Sequence, residues 1–239
     1  MVRTIFWFIY FWGFLLYSTI GLKKAKALHS SEGHNINKTD RLIHSLPREW
    51  ARSLIKITGS KVTVHNEQNI PVDGPVLFVA NHQGNFDIPV LIGHIDKPKG
   101  FISKIEVKKL PIVRDWMEVM QCIFIDRNNR RQSVKALQDG VEKLKTGHSM
   151  VIFPEGTRSK GNKMGEFKTG SFRLAVKAEV PIVPITINGT YKIMEANGWI
   201  MKPAEVSVTV GECIPYTEYH HLNYEQLATL VKTKIEEKL

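Results

Sequence analysis

Cysteine is scarce in this chain: two thiols, Cys122 and Cys213, in 239 residues. Two cysteines cannot make the framework that staples small secreted domains, and no C-x-x-C pair is present to hold zinc or run dithiol chemistry. Both lie in apolar, strand-like runs and read as buried reduced thiols, which suits a reducing compartment. Other signatures are missing too. There is no G-x-S-x-G nucleophile elbow and no H-E-x-x-H metal motif. Gly156 and Gly161, and again Gly165 and Gly170, have P-loop spacing, but Asn162 and Ser171 follow where the loop needs lysine. His220 and His221 have no companion ligands, so no metal site is expected. Acidic residues are the minority, 23 against 33 Lys and Arg, for a formal charge of +10. That surplus favours polyanions: nucleic acid, an anionic membrane surface or phosphorylated ligands.

What is present makes a globular protein with an unusual front end. Hydrophobic residues at 43% and charged residues at 23% exclude wholesale disorder and fibrous architectures. From Thr4 to Leu22 there are 19 consecutive uncharged residues, with Arg3 before them and Lys23, Lys24 and Lys26 after. As a helix this run just matches a hydrocarbon core of about 30 Å. Its many aromatics, among them Trp7, Tyr10, Trp12 and Tyr17, prefer the headgroup interface, so a shallow or tilted insertion and a true span both fit. Ala25-Lys26-Ala27 could pass for a signal-peptide cut. The apolar run is longer than such peptides use, and lysines intervene, so a retained anchor is the expectation. Residues 27–38 read as a polar connection. Leu42, Ile43, Leu46, Trp50, Leu54 and Ile55 then recur at helical spacing among Arg41, Arg48, Arg52 and Lys56, with an interruption expected at Pro47. This segment reads either as a helix packed on the domain or as a basic helix on anionic lipid. Residues 1–60 hold nine Lys and Arg against three Asp and Glu. Beside an apolar anchor, that charge points to a membrane surface rather than to nucleic acid, for which no reader motif is seen.

From residue 61 short β-rich runs alternate with helical stretches. KVTVH alternates; 76–80 is continuous and apolar, as a strand buried on both faces should be. Further strands are expected at 122–125, 150–153, 181–187 and around Val206, Val208 and Val210. Helices are expected from Asp87, over 133–145, over 171–178 and over 223–239. The pattern predicts an α/β fold: a mostly parallel or mixed central sheet flanked by helices, with an N-terminal membrane-associated helical segment.

Three polar or basic loops fall at strand ends, where open α/β folds gather their ligand sites. The first is NHQGNFD over 81–87. Gly84 and Asn85 supply turn chemistry that can bring Asp87 back to His82. A carboxylate on one ring nitrogen fixes the tautomer and leaves the other nitrogen to take a proton, a task that suits imidazole with its ordinary pKa of about 6.5. Taken alone, the segment reads equally as a strand cap followed by a helix cap. The second loop is FPEGTRS over 153–159, where backbone amides around Gly156, the Thr157 hydroxyl and the Arg158 fork suit a phosphate. The third follows Ile125, with Arg127, Arg130 and Arg131. A His–Asp pair without a protein nucleophile suggests that a substrate hydroxyl is deprotonated and attacks directly.

NHxxxxD, a strand ending in FIDR, then FPEGTRS and VPIVPI occur in that order. Over roughly residues 60–215 the chain closely resembles the glycerolipid acyltransferases of the 1-acylglycerol-3-phosphate acyltransferase type. The resemblance implies that His82 is the general base on the acceptor hydroxyl and that Asp87 orients it. It implies an acyl thioester donor, acyl-CoA or acyl carrier protein, with no covalent enzyme intermediate, no bound cofactor and no metal. Glu155, Gly156, Thr157 and Arg158 are implied at the acceptor's phosphate, with Arg127 and Lys104 facing it, and 180–185 on the acyl or donor side. The family's two-helix membrane motif fits 1–58, leaving 59–239 as the acyltransferase domain. The expected product is phosphatidic acid, made for phospholipid biosynthesis on the cytoplasmic face of a membrane. Alternatives are another acceptor (glycerol-3-phosphate, another lysophospholipid or a lyso-aminolipid) or a silent lipid-binding protein. One departure stands out: the second block often begins with Gly, and here Gln121 is expected to reshape the acceptor or acyl pocket.

Overall fold

The computed structural model describes residues 1–30 and 36–239, and shows helices α1 (Val2–His29) and α2 (Ile36–Thr58) packed on an α/β body. The body runs β1 (Lys61–His65), β2 (Leu77–Ala80), α3 (Asp87–His94), β3 (Gly100–Lys104), α4 (Pro111–Val119) and β4 (Ile123–Ile125). It continues with α5 (Arg130–Lys145), β5 (Met150–Ile152), α6 (Arg173–Ala178), β6 (Ile182–Asn188), β7 (Glu205–Val210), α7 (Tyr216–Tyr219) and α8 (Tyr224–Glu236). Seven strands form one sheet in the order β1-β7-β6-β2-β5-β3-β4. Every pair is parallel except β6 with β7, so the sheet is mixed and mostly parallel, as the strand–helix alternation predicts.

The central position of β2 explains its unbroken apolar run. Phe78 and Ala80 face a core shared with α1, α2 and α3, while Leu77 and Val79 face a second core shared with α5, α6 and α8. A strand covered on both faces has no side to give to polar residues. Asn129 caps α5, and Asn223 with Gln226 forms a capping box on α8.

α1 is long and apolar enough to cross a membrane, the one such helix among the described residues. Yet it buries a seam of Trp7, Leu15, Ser18, Leu22 and Ala25 against its own protein. The Trp7 indole donates to the Leu54 carbonyl at 3.0 Å, Trp116 of α4 donates to Ser18 Oγ at 2.9 Å, and Lys26 pairs with Asp115 at 2.7 Å. The opposite face, including Ile5, Phe6, Ile9, Trp12, Leu16 and Ile20, is exposed.

Three local expectations are corrected, and one open reading is narrowed. α2 passes through Pro47 without interruption; proline removes one rung of the ladder, and burial of Ile43, Ala51, Leu54 and Ile55 on both sides holds the axis. Of the two readings of this segment, two basic residues support packing on the domain: Arg48 pairs with Asp96, and Arg52 Nε donates to the Gly93 carbonyl at 2.6 Å. The polar stretch 27–38 is helical at both ends, in α1 and α2, and its middle, 31–35, lies outside the described residues. Cys122 is buried, which pushes its thiol up to about 12, but Cys213 is only half-buried.

Beside Arg48 sits Lys99, 4% exposed, its ammonium donating to the Ile95 carbonyl at 2.9 Å. Burial, with Arg48 adding repulsion, pushes it down from 10.5 to about 7. The unfolded chain therefore binds the extra proton between these values, and stability rises with pH from about 7 to 10.5. The Lys99 contribution approaches about 1.4 kcal/mol per pH unit inside that window. Urea unfolding across the window checks it: the slope is expected to flatten in Lys99→Met.

Candidate active site

Strand β2 delivers the site. Asn81, just past its end, continues the ladder with its side chain: Nδ2 donates to the Ile187 carbonyl at 2.8 Å and Oδ1 accepts from the Ile187 amide at 2.7 Å. The chain leaves the sheet at a fixed angle and crosses to α3, which begins at Asp87. Asp87 is fully buried, and three donors converge on its carboxylate. Oδ2 accepts from the Gly84 amide at 2.9 Å and from His82 Nδ1 at 2.6 Å; Oδ1 accepts from the Thr190 hydroxyl. The turn at 84–85 thus brings the carboxylate back to the imidazole across five residues, as its composition suggests. With Nδ1–H committed to a carboxylate, Nε2 carries the free lone pair and is the proton-accepting end. The ring stacks on Phe153 at a centroid distance of 4.1 Å and lines a cavity.

The loop after β5 is zipped to this one. The Ser159 amide donates to the His82 carbonyl at 2.8 Å and the Lys160 amide to the Gln83 carbonyl at 3.0 Å. Glu155 completes the brace: its carboxylate accepts from the amides of His82 and Gly165, both at 2.7 Å. Burial raises its carboxyl above the usual range, and those two hydrogen bonds oppose the rise. These hydrogen bonds make Glu155 a brace between the two loops, and it does not line the cavity where the other residues expected at the phosphate stand. Gly156 carries φ 71, a left-handed backbone that glycine adopts without strain, and the Lys168 ammonium end lies close beside it.

The remaining predicted residues meet. His82, Lys104, Arg127, Gly156, Thr157 and Arg158 all line one cavity of about 390 Å³. Its other walls are apolar: Phe14 and Leu15 of α1, Leu46 and Trp50 of α2, Ile88 and Ile92 of α3, Trp116 and Met117 of α4, and Phe101, Met120 and Cys122. Three cations thus stand with the imidazole in a chamber otherwise built for hydrocarbon. Arg127 Nη1 donates to the Gly156 carbonyl. Arg130 and Arg131, grouped with it in the sequence, are exposed at the start of α5 and do not line the cavity. Gln121 does not line it either, although Met120 and Cys122 on either side do. Its side chain turns away to His29, 2.9 Å from Nδ1, and its backbone holds φ 61, a conformation that accounts for a glycine preference at this point.

Two residues escaped the sequence reading. Thr190, fully buried, holds the second oxygen of Asp87. Glu195 accepts from the Asn85 amide at 2.8 Å and from Arg158 Nη1 at 3.4 Å, while Nη1 also donates to Asn85 Oδ1. Glu195 Oε2 is buried without a hydrogen-bond partner among the described residues, and a Cβ on Gly84 would sit 2.6 Å from it. Arg158 is held through Nη1, and the rest of its fork remains for a ligand.

Comparison with known proteins gives the chain a family. The family model described as Acyltransferase matches residues 61–188. A probable 1-acyl-sn-glycerol-3-phosphate acyltransferase of Mycoplasma pneumoniae is 37% identical over 72% of this chain and 66% of its own length. Another, of Mycoplasma genitalium, is 35% identical over 75% of this chain and 70% of its own. The chain therefore spans just under two thirds of the first relative. The crystal structure of the 1-acyl-sn-glycerophosphate acyltransferase PlsC from Thermotoga maritima superposes with a TM-score of 0.83 at 27% identity, over 99% of this chain and 95% of that one.

Proposed function

The chain belongs to the acyltransferase family, and from that premise we propose that it moves a fatty acyl group from acyl-CoA or acyl carrier protein to the free hydroxyl of 1-acylglycerol-3-phosphate, making phosphatidic acid. The observation that carries the reading is the meeting of the His82–Asp87 pair, three cations and an apolar chamber in one cavity. The relatives named as acting on that acceptor support it.

His82 Nε2 takes the proton of the acceptor hydroxyl as its oxygen attacks the thioester carbonyl carbon. The tetrahedral intermediate collapses with cleavage of the C–S bond, and the leaving thiolate recovers the proton from the imidazolium. Asp87 holds the tautomer and balances the charge that appears on the ring. Lys104, Arg127 and Arg158 fix the phosphate, turning attack into an oriented, nearly unimolecular step. A phosphate monoester on a glycerol carrying one chain matches the cavity's two halves: cations for the head, α1, α2 and α4 for the tail. The proposed reaction uses no bound cofactor, because the donor thioester supplies the acyl group already activated. A donor made in the cytosol puts the catalytic body on that face of the membrane.

The test is thiol release in mixed micelles with acyl-CoA or acyl carrier protein and, in turn, lysophosphatidate, glycerol-3-phosphate and lysophosphatidylcholine. Release dependent on lysophosphatidate is expected. Release dependent on a different acceptor would overturn the substrate, and binding without release on every pair would leave a lipid-binding protein. In the same assay, Arg158→Ala is expected to raise the acceptor's KM by about tenfold to a hundredfold, from loss of a charged hydrogen bond, with a smaller fall in kcat. An unchanged acceptor response would remove Arg158 from the phosphate site.

A further inference from the structure

We propose that the turn at residues 198–201, led by Trp199, is a second membrane contact that seats in the headgroup interface of an anionic bilayer beside the start of α1; this rests on reading α1 as membrane-associated. Trp199 is 75% exposed and Ile200 41%. Trp7 and Trp116, by contrast, are buried with their indole N–H groups bonded. The turn that presents Trp199 is braced. The Asn197 amide donates to the Met194 carbonyl at 2.9 Å, the Ile200 amide to Asn197 at 3.3 Å and the Lys202 amide to Ile193 at 2.9 Å. Asn197 Nδ2 bonds the Lys192 carbonyl at 2.6 Å, and Gly198 makes the reversal at φ 63.

A single exposed aromatic needs no explanation, but one held outward by a braced turn gains meaning when it extends a larger apolar surface. Its place says by what. The Met201 amide donates to Thr4 Oγ1 at 3.0 Å, which ties the turn to the first turn of α1, where Val2, Ile5 and Phe6 are also exposed. The apolar surface of α1 therefore continues onto Trp199 and Ile200. Basic residues lie close by: Lys192 and Lys202 flank the turn in the chain, and Arg3, next to Thr4, has its guanidinium beside Gly59, the residue that Pro203 also packs on. Tryptophan prefers the interface over the hydrocarbon centre, and lysine and arginine at that level meet anionic headgroups. A protein or nucleic-acid partner would not require the patch to be continuous with an apolar anchor.

The test uses the full chain in a Cys213→Ser background, with bimane attached at one new cysteine. Trp199→Cys is the query, Ile9→Cys on the exposed face of α1 the positive reference, and Val134→Cys on α5 the negative one. Each is reconstituted in phosphatidylcholine–phosphatidylglycerol vesicles with chains brominated near the headgroup or plain. Fluorescence loss in brominated vesicles is expected at 199 and at 9, and none at 134. Quenching at 9 with 199 as bright as 134 would overturn the second contact while leaving α1 in the membrane. Quenching at neither 9 nor 199 would remove the membrane reading itself, and this inference with it. Equal quenching at 199 in pure phosphatidylcholine would overturn the role given to anionic headgroups.

Discussion

His82→Ala is expected to lower turnover by about a hundredfold to ten-thousandfold, the range that positioned general bases contribute. The fold and the acceptor's KM are expected to stay near wild type. The reason lies in what the variant keeps. The His82 backbone amide still donates to Glu155, its carbonyl still accepts from Ser159, and the two site loops stay joined. The phosphate ligands Lys104, Arg127 and Arg158 stand on other segments. Only the ring is lost, from a part-exposed place against Phe153. Thiol release gives the rate, and a thermal melt monitored by circular dichroism gives the fold. Activity within a few-fold of wild type in a folded variant would remove His82 as the base.

Asp87→Asn is expected to cost as much turnover, again about a hundredfold to ten-thousandfold, and some stability besides. The carboxylate accepts hydrogen bonds from His82 Nδ1, the Gly84 amide and the Thr190 hydroxyl. An amide offers one acceptor oxygen and an NH₂ that faces donors. If the NH₂ turns to the imidazole, Nδ1 must accept, the ring proton moves to Nε2, and the base loses its lone pair at the reacting end. Turned that way the NH₂ also faces the Gly84 amide, and an unsatisfied buried group costs about 1–3 kcal/mol. Turned the other way it donates to the Thr190 hydroxyl, which reverses to accept, and the ring keeps its tautomer but loses the carboxylate charge that balances the imidazolium. The variant is therefore expected to unfold at lower denaturant concentration than His82→Ala while binding the acceptor normally. Full activity in Asp87→Asn would show that the carboxylate does not set the tautomer.

Much of this was legible because short-range patterns carry it. The continuous run at 76–80 marked a strand covered on both faces, and a histidine two residues past its end, with glycine and aspartate following, marked a turned loop at the sheet's carboxyl edge. The cations at Lys104, Arg127 and Arg158 were found through motif order and meet in one cavity. Other features depend on contacts across the chain. Thr190 reaches Asp87 across 103 residues and Glu195 reaches Asn85 across 110, and nothing near either residue marks it. Glu155, which the resemblance puts at the phosphate, does not line that cavity and braces the two loops, a contact that motif order does not show. Pro47 was read as a break because propensity says so, and packing on both sides of it overrides that local preference. α4, PIVRDWMEV, was missed altogether. Its proline start is a good helix signal, but at nine residues its pattern is too short to stand out.

The most direct test of direct transfer to a substrate hydroxyl is a rapid-mixing experiment with enzyme in excess over acyl-CoA, run with and without lysophosphatidate and followed by thiol release and intact-protein mass. Without the acceptor, no thiol burst and no acyl adduct are expected. With it, one thiol should appear for each phosphatidate formed, and only when His82 is present. A stoichiometric burst with an acylated protein in the absence of acceptor would contradict direct transfer, because it would require a protein nucleophile that the His82–Asp87 arrangement does not include.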